Sequence, residues 1–155
     1  MFTVRIRWPA LILVVIAHLI LGAAWYAVLE EPWLAAVGRT AEEVPAGSPV
    51  LYALPVAAAL LNAWLVAWML DRSGRRGAVA GVGAGLGVVA ATIVPFALVH
   101  NAFAGFPFSL TLIDAGLEVV SLAVTGWILG VAARRADQPP LSRQPDPVSQ
   151  PTSFT

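Results

Sequence analysis

The chain has 155 residues, 59% of them hydrophobic and only 12% charged, with zero formal net charge and a mean hydropathy of +0.80. A soluble domain carries about 25% charged residues, so this composition belongs to the membrane class and leaves room for one small helical bundle. The absence of cysteine excludes disulfides, thiolate chemistry and Cys-ligated metals, and the neutral charge balance gives no footprint for a nucleic-acid partner.

About 20 predominantly apolar residues are needed to cross the hydrocarbon core. Four segments meet that requirement: Trp8–Leu29, Pro49–Leu70, Ala78–Val99 and Phe108–Ala133. The expected fold is all-α: four transmembrane helices in an antiparallel bundle spanning residues 1–135. A proline-rich tail at 136–155 is too polar to pack and is expected to be disordered.

Before the first span stand Arg5 and Arg7. A cleaved signal peptide has an apolar stretch of only about 7–15 residues. This run is longer and continues into Trp25-Tyr26, a pair suited to the membrane interface, so a retained helix is expected. Its one polar residue before that pair is His18.

The connection Glu30–Ser48 is either an ordinary loop or partly helical. Pro32-Trp33-Leu34 suits the start of a short interfacial helix, and Thr40-Ala41-Glu42-Glu43 has the spacing of a capping box, with Pro45 stopping any helix soon after. The second span carries Asn62, Trp64 and Trp68. Trp25, Trp64, Trp68 and Trp127 are read as belt or packing residues, not as a ligand cage.

Arginines set the orientation. Arg72, Arg75 and Arg76 separate the second and third spans, Arg134, Arg135 and Arg143 follow the fourth, and only Arg39 falls with the opposite loops. By the positive-inside rule both termini are cytoplasmic.

Inside a bilayer, small residues drive helix contact because they let backbones approach. The third span has Gly77, Gly81 and Gly85 at four-residue spacing, and the fourth has Gly126 and Gly130. These faces are expected to touch, within one chain or between protomers. Pro95 is expected to kink the third span.

The fourth span holds the chemistry. Thr111, Asp114, Glu118, Ser121 and Thr125 follow at spacings of 3, 4, 3 and 4, which puts them on one helix face. An ionised acid at the bilayer centre costs at least about 2.5 kcal/mol, and two acids one turn apart repel, so at least one is expected to be neutral near pH 7. Counting from span ends groups His18, Asn62 and Glu118 at the midplane, and Tyr26, His100, Asn101 and Asp114 nearer the outer face. These seven are the candidate substrate- or proton-binding residues. Hydrogen-bonded glue between helices is the competing reading, favoured for Asn62, Thr111, Ser121 and Thr125. His18 and His100 differ in depth by about 15 Å at the helical rise, which argues against bis-histidine haem. No metal spacing, phosphate loop or nucleophile motif is present, and no cofactor is indicated.

Two blocks, "LGAAWYAVLEEPWLAAVG" (21–38) and "HNAFAGFPFSLTLIDAG" (100–116) with the later "ILG" (128–130), resemble a family of small bacterial membrane proteins. It is the domain of unknown function seventeen-sixty-one. The likeness rests on Gly22, Trp25-Tyr26, Trp33, Gly38, Phe103, Pro107 and Ile113-Asp114-Ala115-Gly116. It implies four membrane helices, a bacterial inner membrane and no assigned activity. It makes Trp25, Tyr26 and Asp114 part of a shared pattern. The chain departs from that pattern at Ala27-Val28, where a Ser-Pro-like pair is expected, and at Glu118, where an apolar or aromatic residue is. Two functions follow as expectations: a small-solute or proton-coupled carrier working as an oligomer, or an accessory or assembly subunit of a larger membrane complex. An enzyme acting on lipid or quinone ranks below both.

Overall fold

The computed structural model describes residues 8–44 and 49–136. The arginines at positions 5, 7 and 143, Pro45 and the proline-rich tail lie outside them. Among the described residues the chain is all-helical. Helix α1 covers Trp8–Val28, α2 Glu30–Val37, α3 Pro49–Ser73, α4 Ala78–Val88, α5 Val94–Ala104 and α6 Phe108–Ala136. A π turn, Val89–Ile93, joins α4 to α5, so these two form one long span. Four helices are therefore long and apolar enough to cross a bilayer: Trp8–Val28, Tyr52–Ser73, Ala78–Ala104 and Phe108–Arg134.

Helix α6 is central. Of its apolar window 44% is buried, against 11% for the first span, and it touches α1, α2, α3, α4 and α5. The core is small: Val14, Ala63, Val66 and Leu122 are each at most 1% exposed. Large apolar side chains instead point outward, among them Ile20, Leu61, Phe96 and Trp127. That distribution suits lipid as solvent, in which outward apolar groups cost nothing. It is consistent with a multi-pass membrane protein.

The tightest contact is the α4–α6 seam. A Cβ built on Gly81 would fall on the Gly126 carbonyl, one on Gly85 on the Leu122 carbonyl, and one on Gly126 on the Gly81 carbonyl. At the end of the seam the Gly77 N–H donates to the Gly130 carbonyl at 2.9 Å. Gly77 sits at φ 96, a conformation that side chains other than glycine rarely adopt. It thereby serves both as the turn into α4 and as a donor to α6.

The kink in the third span has a specific form. Pro95 lacks an N–H and its ring crowds the carbonyl four residues back. The helix widens into the π turn just before it, where the Thr92 hydroxyl donates to the Val88 carbonyl at 2.7 Å. Beyond it α5 runs on to Ala104, because no breaker occurs until Gly105 at φ 75 and Pro107. His100 and Asn101 therefore lie within the helix and not in the connection.

After α1 the chain continues in two short helical pieces. Helix α2 begins at Glu30, two residues before Pro32, and ends on left-handed Gly38. Thr40 then opens a single 3-10 turn, Ala41–Glu43, with its N–H donating to Glu43 Oε2 at 2.9 Å. Glu42 in this turn is held below the usual carboxylate range by its own backbone N–H and by the Thr40 side chain.

Candidate functional site

The polar face of α6 turns inward. Thr111, Ser121 and Thr125 are buried, and Asp114 and Glu118 are half-buried. What meets that face is mainly the second half of α1. The Tyr26 hydroxyl donates to Asp114 Oδ1 at 3.0 Å, and the adjacent Trp25 indole N–H donates to the Ile113 carbonyl at 3.0 Å. Trp33 of α2 packs edge-on against Tyr26 with ring centroids 5.6 Å apart. Its indole also lies within looser hydrogen-bonding reach of the Asp114 carboxyl. So α2 closes over the end of the α1–α6 contact and adds an aromatic wall to it.

Gly116 makes this approach possible. A Cβ there would lie 2.8 Å from Cζ2 of Trp25. The glycine sits between the two acids in sequence and lets the indole lie flush against α6. Trp25 is thus an internal packing residue, whereas Trp64 and Trp127 are more than half exposed.

Deeper in the bundle, Glu118 faces His18, which is only 8% exposed and is close enough to interact with it electrostatically. Among the described residues, Glu118 Oε2 and the Ser121 hydroxyl are buried without a hydrogen-bond partner. Most buried polar atoms in folded proteins are paired, so two orphans on one face, one turn apart, mark the least satisfied point of the fold. Asp114 interacts electrostatically with both Tyr26 and Glu118. The result is a chain of polar groups from Trp33 through Tyr26 and Asp114 to Glu118 and His18.

Three candidates stand apart from it. Asn101 is buried, but its Nδ2 donates to Thr111 Oγ1 at 2.9 Å, tying α5 to the start of α6. His100, grouped with Asp114 by depth, is exposed and stacks on Phe96 of its own helix at 5.5 Å. Counting along a helix fixes height but not the direction a side chain faces, and His100 faces away from α6's polar stripe. Asn62 is half-buried and makes no side-chain hydrogen bond among the described residues. Trp25, Trp33 and Gly116 complete the site. None was singled out as a site residue from sequence. The usable signal was a glycine in the acid-bearing span at the depth of a tryptophan on another span.

Tyr26→Phe removes one hydrogen bond and little volume. It should lower stability in detergent by roughly 0.6–2 kcal/mol, the range for such bonds in membrane helices, read as a shift in the unfolding midpoint. No change would mean that Asp114 takes its hydrogen bond from elsewhere.

No curated protein and no solved structure matches the chain. The Trp25-Tyr26 pair and the Ile113–Gly116 run that build the α1–α6 contact both fall within residues 9–130, which match the family model described as Protein of unknown function (DUF1761), and the chain belongs to that family.

Proposed function

We propose that the protein is a proton-coupled carrier of a small solute, acting as an oligomer in a bacterial inner membrane. In this reading residues 1–135 form an antiparallel four-helix domain with both termini cytoplasmic. The excess of arginine before the first span, between the second and third, and after the fourth supports that orientation. Four helices are few for alternating access, which is why an oligomer is invoked.

One observation carries the reading: Glu118 presents a buried, unpartnered carboxyl oxygen on the central helix, beside buried His18. An acid in the bilayer interior is costly to keep, and its usual justification is a proton or ion that comes and goes. Glu118 would bind the proton, His18 would relay it or pair with the carboxylate, and Asp114 with Tyr26 would line the path on the α2 side.

The test is proton flux into proteoliposomes under an imposed pH gradient with candidate small solutes added, read with an internal pH dye. Wild-type protein should move protons. Glu118→Gln keeps the shape and should abolish the flux while melting like wild type. Equal flux from both proteins removes Glu118 from the mechanism. Purification in mild detergent separates this reading from the accessory-subunit one, for which a stoichiometric partner protein would be retained.

A further inference from the structure

At the opposite end of the bundle from α2, α3 and α4 diverge around the short connection 74–77. An open crevice of about 740 Å³ lies there, lined by Met69, Leu70, Ser73, Arg75, Val79 and Gly83, among others. That volume falls within the range of about 300–1,000 Å³ typical of small-molecule sites. Its lining is divided by chemistry. The part within the membrane span is apolar and low in bulk, because α4 contributes Ala80, Gly83 and Ala84. The rim, where the chain leaves the span, is basic: residues 71–77 hold Arg72, Arg75 and Arg76 against the single acid Asp71.

The arginines divide their work. Arg76 donates to the Leu70 carbonyl at 2.8 Å and to the Arg75 carbonyl at 3.0 Å, and lies 3.8 Å from Asp71. It therefore caps α3 and shapes the rim. The Arg75 side chain is exposed and makes no hydrogen bond or ion pair among the described residues. It sits at the mouth of the crevice with its charge available.

We propose that this crevice binds one anionic phospholipid, with the phosphate at the Arg75 guanidinium and an acyl chain along Val79, Gly83 and Met69. Charge complementarity at the rim and an apolar floor continuous with the bilayer together select an amphiphile. A soluble anion would leave the floor unused, and a neutral lipid would leave Arg75 unused. Basic crevices between membrane helices bind lipid headgroups by this combination. The proposal is independent of Glu118 and of any transport activity.

Two variants probe the two ends. Arg75→Gln removes the charge without touching a side-chain bond. Gly83→Leu fills the floor from a position where a Cβ meets nothing within 4 Å. Full-length protein in mild detergent is mixed with equal amounts of phosphatidylglycerol and phosphatidylcholine of matched chains, and bound lipid is read by native mass spectrometry. Wild-type protein should retain one phosphatidylglycerol per chain in preference to phosphatidylcholine. Arg75→Gln should lower that retention about five-fold, the share of one basic side chain near a membrane surface, and Gly83→Leu should lower retention of both lipids. Arg75→Gln should melt like wild type, and Gly83→Leu at or slightly above it. Equal retention of the two lipids by wild type overturns the headgroup assignment. Undiminished phosphatidylglycerol on Gly83→Leu overturns the acyl-chain assignment. Displacement of the lipid by millimolar inorganic phosphate would make this a free-anion site and overturn the proposal as a whole.

Discussion

Gly81→Ala should destabilise the protein by about 3 kcal/mol, near the upper end for overpacking, and lower the yield of folded protein from membranes. The reason is what the new methyl group meets. At most core positions an added carbon presses on a side chain that can rotate away. At Gly81 it falls on the Gly126 carbonyl, with the Gly130 Cα only 3.1 Å away. Backbone atoms of α6 can yield only if the helix moves as a whole. Separating the helices would also break the Gly77 to Gly130 hydrogen bond at the end of the same seam.

The comparison variant is Gly83→Ala, two residues along the same helix, where a Cβ finds open space. It should be neutral or stabilising by roughly 0.5–1 kcal/mol, because alanine loses less backbone entropy in a helix. Thermal unfolding in one detergent compares the pair directly. Gly126→Ala should resemble Gly81→Ala, since its methyl group meets the Gly81 carbonyl. The double variant should cost less than the sum, because the first substitution already parts the helices. Similar midpoints for Gly81→Ala and Gly83→Ala would show that the α4–α6 backbones are not in close contact at Gly81.

Some of this was legible in the sequence and some was not, for physical reasons. Span length and apolar composition identify helices that can cross a membrane, because the bilayer imposes both. Small-residue spacing marks faces capable of close approach, and the α4–α6 seam lies on those glycines. Pro95 signals a kink, but not that the helix relieves the crowded carbonyl with a π turn at 89–93. Helix α2 starts before Pro32 because proline is tolerated in a first turn, where its missing N–H would have no helical partner. Glu30 and Glu31 favour that start by facing the positive end of the helix dipole.

The site was harder to read. Polar periodicity placed the acids on one face of α6 without saying which helix covers it. Depth counting put His100 beside Asp114, whereas His100 stacks outward on Phe96. The decisive contact, Trp25 on Gly116, joins residues 91 positions apart and has no local signature. The two acids also differ in standing. Asp114 is satisfied by Tyr26, whereas Glu118 retains an orphaned oxygen. Tyr26, Trp25 and Gly116 build the contact that holds Asp114, and none of them bonds to Glu118. The contact that holds Asp114 and the Glu118–His18 pair therefore rest on different residues.

Gly116→Leu perturbs the contact that holds Asp114. Even a single carbon at this position comes within 2.8 Å of the Trp25 ring, and a leucine would occupy the space of the indole. Trp25 must swing out, taking with it the hydrogen bond to Ile113, and its neighbour Tyr26 then loses alignment with Asp114. The expected loss is on the order of 3 kcal/mol from overpacking, larger than for Tyr26→Phe. Gly116→Ala should be much milder, because the colliding atom is the edge of a side chain and not backbone. The discriminating variant is Trp25→Ala combined with Gly116→Leu. If steric conflict is the cause, removing the indole leaves room for the leucine, and the double variant melts above Gly116→Leu alone. Within the Gly116→Leu protein, Tyr26→Phe should then add little, because the bond it deletes is already broken. A double variant that melts lower still, by the full cost of both substitutions, would mean that the glycine is kept for a reason other than the tryptophan above it.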